Sequence, residues 1–297
     1  MLTDRYLKRI RLRRENFDNS PTLENLKRIT EAHLENIPFD NLAQHGGKGG
    51  PATLDVAQLA EKLLDRQRGG FCYEVNGLLA EWLVELGYGV LRVPSYVHIR
   101  TEQGFRPGNS PGHIGLIVTL PRESSRFYVD VGFGEPAINP LKYEMDVSQE
   151  TAEGMISRFV HDGDDVVLER LDHETNLFYP RLHFEAKDAA LAGDAGPSLA
   201  DFAKNMEIPL HHESVFSKKL IVTRLTRERK ITVAGDQFKQ TGPPRFGMNS
   251  CKTIYQLHSA KDLRRVLKED FGIPMIETRE ITLAKSQKAP KGMWGQL

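Results

Sequence analysis

The sequence predicts an α+β fold in which a helical region comes first, a strand-rich region follows, and a mixed region ends the chain. Apolar residues in the first ninety positions recur every three to four residues, which is typical of amphipathic helices. From about residue 90 onward, runs of β-branched and aromatic residues separated by turn residues replace that pattern. The two patterns follow one another and do not alternate, so a sheet built from βαβ units is not expected.

Three helices are predicted within the first ninety residues. One begins after a cap at Thr22, one after a cap at Thr53, and the third runs from about 72 to 86 with Gly87 as its stop. The glycine-rich segment 46–51 predicts a loop between the first two. Their apolar stripes are Leu23, Leu26, Ile29 and His33; Val56, Leu59, Ala60, Leu63 and Leu64; and Val75, Leu78, Leu79, Trp82 and Leu86.

The rest of the chain is predicted to be mainly strands. The segments with strand-like composition are 90–99, 113–120, 126–133, 165–171, 182–186, 220–225 and 231–238. Residues 121–125, PRESS, predict a hairpin connection, and the small polar stretch 188–198 is the predicted linker. Ser259 and Asp262 form a capping box before an apolar stripe, which predicts one more helix.

Composition excludes several classes of protein. Lys+Arg and Asp+Glu both number 40, so the net charge is zero, which argues against nucleic acid as the main partner. No apolar run approaches the roughly 18 residues of a membrane-spanning helix, and no secretory signal is recognised. The chain has only two cysteines, Cys72 and Cys251, and neither a CxxC nor an HExxH motif. We therefore expect a cytoplasmic protein without a membrane partner or a metal site.

The segment RGGFCYEVNG, residues 68–77, carries the strongest chemical signal. Gly69 and Gly70 permit a sharp bend, and Cys72 then falls in the first turn of a predicted helix. Unpaired N–H groups and the helix dipole stabilise a thiolate at such a position, and the same N–H groups can hold an oxyanion. The alternative is that Cys72 is a small buried apolar residue beside Val75. The glycines and the helix start favour the nucleophile.

A cysteine nucleophile needs a base, and His113 is the candidate among ten histidines. It is the first residue of a strongly apolar predicted strand and directly follows the turn GNSPG. A polar imidazole ring at the end of a buried strand is well placed to line a cleft. A structural histidine at a strand end is an equally good interpretation of His113 alone. His33 lies on a helix stripe, His45, His161 and His173 lie in polar stretches, and His211 and His212 match no metal-ligand spacing.

Asp130 is the most unusual residue of the strand-like segments, because it interrupts an apolar run. A buried carboxylate needs a partner, and His113 lies on the other arm of the same predicted hairpin. An aspartate that accepts from one ring nitrogen would fix the tautomer and favour the charged imidazole. A five-residue loop in perfect register would place the two side chains on opposite faces. The triad hypothesis therefore predicts a four-residue loop or a β-bulge.

These segments resemble the arylamine N-acetyltransferase family. The similarity is specific in RGGFCYEVNGLL (68–79), in the strand-initial His113 with VDVGFG (129–134), and in ENIPFDNL (35–42). A weaker block is SVFSKKLIVTRL (214–225). The resemblance implies a transglutaminase- and cysteine-protease-like core with three parts: a helical bundle (1–90), a β-barrel (91–198) and an α/β lid (199–297).

The resemblance also implies roles for individual residues. Cys72 would take the acyl group from acetyl-coenzyme A, with His113 as base and Asp130 as its orienting partner, and an arylamine or hydrazine would then remove that group. Gly132, Phe133 and Gly134 would help to form the coenzyme cleft, and Phe133 and Phe216 would line the amine pocket. Arg68 would be structural and would pair with Asp40 and Asn41.

Two rival functions use the same residues. One is a cysteine hydrolase of the amidase or protease type, and the other is a non-catalytic protein that binds coenzyme A. The pair Glu135-Pro136 after GFG and the turn GNSPGH both depart from mammalian relatives, so mammalian substrate preferences do not carry over. Acetyl, propionyl and malonyl groups all remain candidates for the acyl group.

Overall fold

The computed structural model describes residues 2–46, 52–123, 125–185, 197–242 and 252–283. Its N-terminal region is helical: α1 Leu2–Ile10, α2 Leu23–Asn36, α3 Val56–Ala60 and α4 Cys72–Glu85. The predicted Thr22 cap of α2 is confirmed, since its side chain accepts the N–H of Asn25 at 3.3 Å. The predicted Thr53 cap is wrong. Asp55 caps α3 through the N–H of Gln58 at 2.9 Å, because that carboxylate stands three residues before the donor.

One antiparallel sheet of nine strands follows the helices. Its strands are β2 Gly89–Thr101, β3 Gly104–Pro107, β4 His113–Thr119, β5 Arg126–Val129, β6 Leu141–Lys142, β7 Gln149–Glu150, β8 Ile156–Asp162, β9 Asp165–Asp172 and β10 Leu177–Glu185. They are ordered β6-β5-β4-β2-β10-β9-β8-β7, with β3 paired to β2. A bridge between Met145 and Phe159 and a side-chain link from Gln149 to the Lys142 backbone join the sheet's ends, which nearly closes a barrel.

A second antiparallel sheet combines one strand from the N-terminal region with four strands from the C-terminal region. Its order is β1-β11-β12-β13-β14, with β1 Phe39–Asp40, β11 Ile221–Leu225, β12 Lys230–Ala234, β13 Gln237–Thr241 and β14 Lys252–Gln256. The helices α5 Ala203–Leu210, α6 Val215–Lys218 and α7 Ala260–Glu269 accompany it. The segment 231–238, predicted as one strand, contains parts of two. Gly235 at φ +64° turns the chain between them.

Alternation along β4 and β5 connects the helical region to the barrel. Leu116, Val118, Phe127 and Val129 pack with the helices, whereas Ile117 and Tyr128 belong to the barrel interior. Asp130 is two residues from Tyr128, and His113 is four residues from Ile117, so each lies on the same face of the sheet as that residue. Both side chains are thereby directed to the barrel side of the sheet, next to the start of α4.

The predicted α+β class, with helices, then a barrel, then a mixed C-terminal part, is confirmed. The division into parts at residues 90 and 198 stays a prediction. The greater part of the predicted linker, and Cys251, lie outside the described residues. Within the described residues, no helix has the length and apolar character needed to cross a membrane.

Candidate active site

Cys72 is the first residue of α4, and its thiol lies against the barrel. The side chain is 5% exposed. Gly132, from the loop after β5, packs directly on it: a Cβ at position 132 would lie 2.5 Å from the Cys72 Cα. Only glycine allows this approach. The two segments that carry VDVGFG and RGGFCYEVNG are therefore in direct contact at the thiol.

His113 and Asp130 meet as the triad hypothesis requires. Nε2 of His113 lies 2.7 Å from Oδ2 of Asp130, and both residues are buried. In the hairpin, Thr119 pairs with Arg126, and the Leu120 N–H donates to the Ser125 carbonyl. Four residues thus separate Leu120 from Ser125. Of the two arrangements that the triad hypothesis predicted, a four-residue loop or a β-bulge, the protein has the four-residue loop, which places the two side chains on one face.

Asp130 is held by four donors. Oδ1 accepts from Asn76 Nδ2 and from the Gly132 N–H, both at 2.9 Å, and Oδ2 accepts from the Tyr128 hydroxyl at 3.1 Å as well as from His113. Burial alone would raise the pKa of Asp130, but the His113 charge and these hydrogen bonds bring the pKa below its usual value. Asp130 lies one residue beyond the end of β5, not within the strand as predicted.

The surroundings of His113 favour its charged form. Burial lowers the pKa of His113, but the Asp130 carboxylate and the Cys72 sulfur outweigh it and raise the pKa from 6.5 to about 10. Since Nε2 faces Asp130, the other ring nitrogen, Nδ1, is the one available to Cys72. The arrangement therefore supports an imidazolium beside a sulfur nucleophile.

The loop before Cys72 is clamped by Arg68, which is fully buried. Its guanidinium lies 3.3 Å from Asp40 Oδ1, and the Gly69 N–H donates to the other Asp40 oxygen at 2.9 Å. The predicted pairing of Arg68 with Asp40 is confirmed. The side-chain amide of Asn41 donates to the backbone carbonyls of Phe216 and Lys219, and so links this segment to the residues that lead into the second sheet. A Cβ at Gly69 would lie 2.0 Å from a backbone oxygen, so this loop requires glycine.

Glu74 braces the first turn of α4 from the other side. Its carboxylate is fully buried, contacts Lys62 Nζ at 2.7 and 2.8 Å, and accepts the N–H of Phe71 at 3.0 Å and of Thr53 at 3.3 Å. Lys62 is only 3% exposed and belongs to a π-helical turn, Glu61–Asp65, that continues α3. Such turns are rare and often occur at functional sites.

An apolar pocket opens at the thiol. Besides Cys72 and His113 it is lined by Phe39, Val97, Gly112, Gly132, Phe133, Gly134, Phe216 and Ile221. All residues predicted for the coenzyme cleft and the amine pocket are thus brought to one cavity with the thiol. The Phe133 ring lies 5.3 Å from the His113 ring in a T-shaped arrangement. The aromatic walls are suited to a flat apolar ligand.

Sequence reasoning missed four residues of this site: Lys62, Glu74, Asn76 and Tyr128. One of them, Asn76, had a readable signal. Asn76 is a polar residue of a predicted apolar helix and stands one helical turn after Cys72. Its amide oxygen also accepts the Val131 N–H at 2.8 Å, which ties α4 to the segment that carries Asp130. Among the described residues, no group of three His, Cys, Asp or Glu side chains could hold a metal ion.

Comparison with known proteins gives consistent matches. The sequence model of the N-acetyltransferase family matches residues 22–280. The arylamine N-acetyltransferase of Mycolicibacterium smegmatis is 39% identical over 150 residues, which is 50% of this chain and 53% of that protein. The chain spans about half the length of the curated mycobacterial relatives that it matches.

Solved structures match over more of the chain. The arylamine N-acetyltransferase of Mycobacterium marinum has a TM-score of 0.77 and 28% identity, covering 95% of this chain and 98% of that one. The structure of that enzyme in complex with CoA has a TM-score of 0.76 and 28% identity, covering 94% of each chain.

Proposed function

This chain belongs to the arylamine N-acetyltransferase family, and from that premise we propose that it transfers acetyl groups from acetyl-coenzyme A to arylamines and hydrazines through a thioester on Cys72. The observation that carries the proposal is the position of Cys72 at the start of α4, beside the buried His113–Asp130 pair and open to an apolar pocket. The names of the relatives support arylamine as acceptor, and the M. marinum complex with CoA supports a coenzyme A thioester as donor.

The first half-reaction acylates Cys72. With the thiol proton on the His113 ring, the Cys72 sulfur attacks the thioester carbonyl carbon of the donor. The carbonyl electrons move to oxygen, and the N–H groups of the first two residues of α4, which have no carbonyl partner within the helix, stabilise the resulting oxyanion. As it collapses, the bond to the coenzyme sulfur breaks, and His113 gives its proton to the leaving thiolate. Free coenzyme A and acetyl-Cys72 result.

The second half-reaction frees the enzyme. Neutral His113 accepts a proton from the amine nitrogen while that nitrogen attacks the thioester carbonyl. The bond to the Cys72 sulfur then breaks, and the starting pair of sulfur anion and imidazolium is restored. Asp130 holds Nε2–H throughout, so that Nδ1 stays directed at the reacting atoms.

The cleft residues have separate tasks in this proposal. Gly132 lets the loop after β5 pack against Cys72, since a Cβ there would lie 2.5 Å from the Cys72 Cα, and Gly134 lines the pocket that receives the donor's thioester. Phe133 and Phe216 contact the ring of the acceptor. The apolar walls exclude water from the thioester, which favours transfer over hydrolysis. The zero net charge and the free Cys72 support a cytoplasmic enzyme that acts on small molecules, without nucleic acid or membrane partners.

The proposal is tested by mass spectrometry of the acylated protein. Incubation with acetyl-coenzyme A alone should add one acetyl mass to the peptide that contains Cys72, and an arylamine should remove it. Acetylation at Cys251, or none, would contradict the proposal. A screen of acetyl, propionyl and malonyl donors against anilines and hydrazines, read by thiol release, then identifies the preferred pair.

Two measurements separate the rival functions. A hydrolase would lose the acetyl group from Cys72 at the same rate with and without amine, whereas the transferase should keep it until an amine is added. A non-catalytic coenzyme-binding protein would show slow alkylation of Cys72 by iodoacetamide at neutral pH, unchanged in His113→Gln. The transferase should show fast alkylation that this substitution slows.

A further inference from the structure

Glu135, directly after the Gly132–Gly134 loop, receives three cations. Its carboxylate contacts Arg170 of β9 at 3.0 Å, Arg181 of β10 at 3.3 Å, and Lys230 of β12. Arg170 also donates to the Glu135 carbonyl. Burial would raise the pKa of Glu135, but Lys230, Arg170 and Arg181 lower it from 4.5 to about 2. The carboxylate is therefore charged at any working pH. These four residues are called the Glu135 clasp below.

Arg181 reaches this position because the sheet is irregular there. The register of β9 and β10 shifts between Pro180 and Leu182, so Arg181 is the extra residue of a β-bulge. A bulge redirects the side chain that it carries, and bulges are frequent beside active sites. The Arg181 guanidinium lies 5.0 Å from the Phe133 ring centroid, within cation–π range. Through Arg181, the Glu135 clasp therefore contacts the ring of Phe133, which lines the pocket.

The clasp also joins the two sheets at that pocket. Arg170 and Arg181 belong to the nine-stranded sheet, and Lys230 belongs to the five-stranded sheet. The pocket walls divide in the same way. Phe133 packs among the apolar residues of the nine-stranded sheet, and Ile221 lies on strand β11 of the five-stranded sheet. The separation of these walls therefore depends on contacts across the boundary between the sheets, and the Lys230–Glu135 pair is such a contact.

We infer that Glu135 is a positioning residue that sets the width of the acceptor pocket, by fixing Phe133 through Arg181 and the second sheet through Lys230. This inference deepens the proposed function, since it concerns which acceptors the pocket admits. The alternative is that Glu135 is only a brace, meaning a residue that stabilises the fold without affecting the shape of the pocket. Loss of a brace lowers stability without changing which molecules reach Cys72, and the experiment uses that difference.

The first arm compares alkylation of Cys72 by a small reagent, iodoacetamide, with alkylation by a bulky one, N-phenylmaleimide. In Glu135→Gln, the rate with N-phenylmaleimide relative to iodoacetamide should rise about tenfold, because Phe133 is no longer fixed. Lys230→Met should show the same change, and the conservative variant Glu135→Asp should restore the original ratio in part. This arm requires no acyl transfer, so it can fail or succeed independently of the proposed function.

The second arm measures acceptor kinetics at saturating acetyl-coenzyme A. In Glu135→Gln, KM for an arylamine should rise about tenfold while kcat changes little, because a poorly fixed wall weakens binding of the ring. Glu169→Gln is the matched control: it removes the Arg158–Glu169 pair (2.8 Å) on the same strand β9.

If the alkylation ratio and the arylamine KM of Glu135→Gln equal those of the control, Glu135 is only a brace and the inference is wrong. Should Glu135→Gln not fold, Lys230→Met and Lys230→Arg carry the same test, with a changed ratio expected for the first and an unchanged ratio for the second.

Discussion

The surroundings of Asp130 require two acceptor oxygens on its side chain. The carboxylate accepts four hydrogen bonds, from Asn76, Tyr128, Gly132 and His113, and donates none. An asparagine offers an NH2 group in place of one oxygen, and every position around that group is already occupied by a donor. The pocket is therefore specific for a carboxylate, and the imidazole orientation depends on it.

Asp130→Asn should lower the rate of acyl transfer by roughly 10⁴-fold, the cost of the equivalent change in a serine protease triad, while the fold survives. The free energy of unfolding should fall by about 1–3 kcal/mol, because the two donors that face the replaced oxygen are left unpaired. Steady-state rates and chemical denaturation measure the two effects. Tyr128→Phe is the control, since it removes one donor and keeps the carboxylate. A folded Asp130→Asn variant with near wild-type rates would exclude the proposed role.

At the scale of single elements, the sequence predicted those whose pattern is local. The stripes of α2 and α4, the hairpin of β4 and β5, and the Ser259 cap of α7 are all formed by neighbours in the chain. The predictions left out the helices α1, α5 and α6 and the strands β1, β3, β6, β7, β8 and β14. The two-residue strand β1 owes its existence to β11, far along the chain, and all of β14 is exposed, so it has no apolar alternation to recognise.

The π-helical turn after α3 positions a lysine that no local rule predicts. Lys62 is buried beside Glu74, whereas Asp65 of the same turn is half exposed and pairs with Arg5. Lys62→Met leaves the Glu74 charge buried without its partner, and the free energy of unfolding should fall by about 3–5 kcal/mol. Asp65→Asn, the matched control, should change it by at most about 1 kcal/mol.

Chemical denaturation of both variants and of the double variant Lys62→Met/Glu74→Gln tests this argument. The double variant should regain part of the lost stability, because it no longer buries an unpaired charge. Equal stability of Lys62→Met and Asp65→Asn would show that the Lys62–Glu74 pair does not brace the start of α4.

The contact between α1 and α2 makes the stability depend on pH. His33 of α2 is fully buried, and its Nδ1 lies 2.8 Å from the Tyr6 hydroxyl of α1. Burial, and then the Arg9 charge, lower the pKa of His33 from 6.5 to about 3. The folded protein keeps His33 neutral, whereas the unfolded chain takes up a proton below about pH 6.5. The stabilising contribution is complete above that pH and is lost as the pH falls toward about 3.

His33→Gln should remove this dependence, because glutamine can accept the Tyr6 hydroxyl and does not titrate. Between pH 7 and pH 5, the wild-type free energy of unfolding should fall by about 2 kcal/mol more than that of the variant. Denaturant titrations of both proteins at the two pH values measure the difference. His98, whose pKa is also lowered, is present in both proteins and cancels. If the free energies of unfolding of the two proteins changed equally with pH, His33 would bind a proton in the folded protein as it does in the unfolded chain.

At the scale of the whole molecule, the site is assembled from parts that are distant in sequence. The sequence predicted Cys72, His113 and Asp130 because each breaks a local pattern, and two of them share a hairpin. The pocket walls and the clamp on the nucleophile loop were less accessible to this reasoning. They depend on pairings such as Phe39 with Thr223, whose partners have no local signal of their own.

Glu277 provides a connection of this kind from near the C-terminal end of the described residues. It is buried, lies in the turn Met275–Thr278 near the C-terminal end, and contacts Arg66 at 2.7 Å and Arg68 at 3.6 Å. Arg68 stands four residues before Cys72 and also pairs with Asp40. The C-terminal segment is therefore attached to the loop that carries the nucleophile. Loss of its charge should loosen that loop without removing any group that takes part in the chemistry.

Glu277→Gln should lower the free energy of unfolding by about 3 kcal/mol, because Arg66 and Arg68 lose a buried anionic partner. Amide hydrogen exchange in residues 66–72 should become faster, while exchange in α2 stays close to wild type, since local opening follows local contacts. Glu269→Gln, an exposed carboxylate of α7, is the control and should change stability by less than about 0.5 kcal/mol. Unchanged exchange in residues 66–72 would show that Glu277 is not needed to hold Arg68, and that the C-terminal segment is independent of the nucleophile loop.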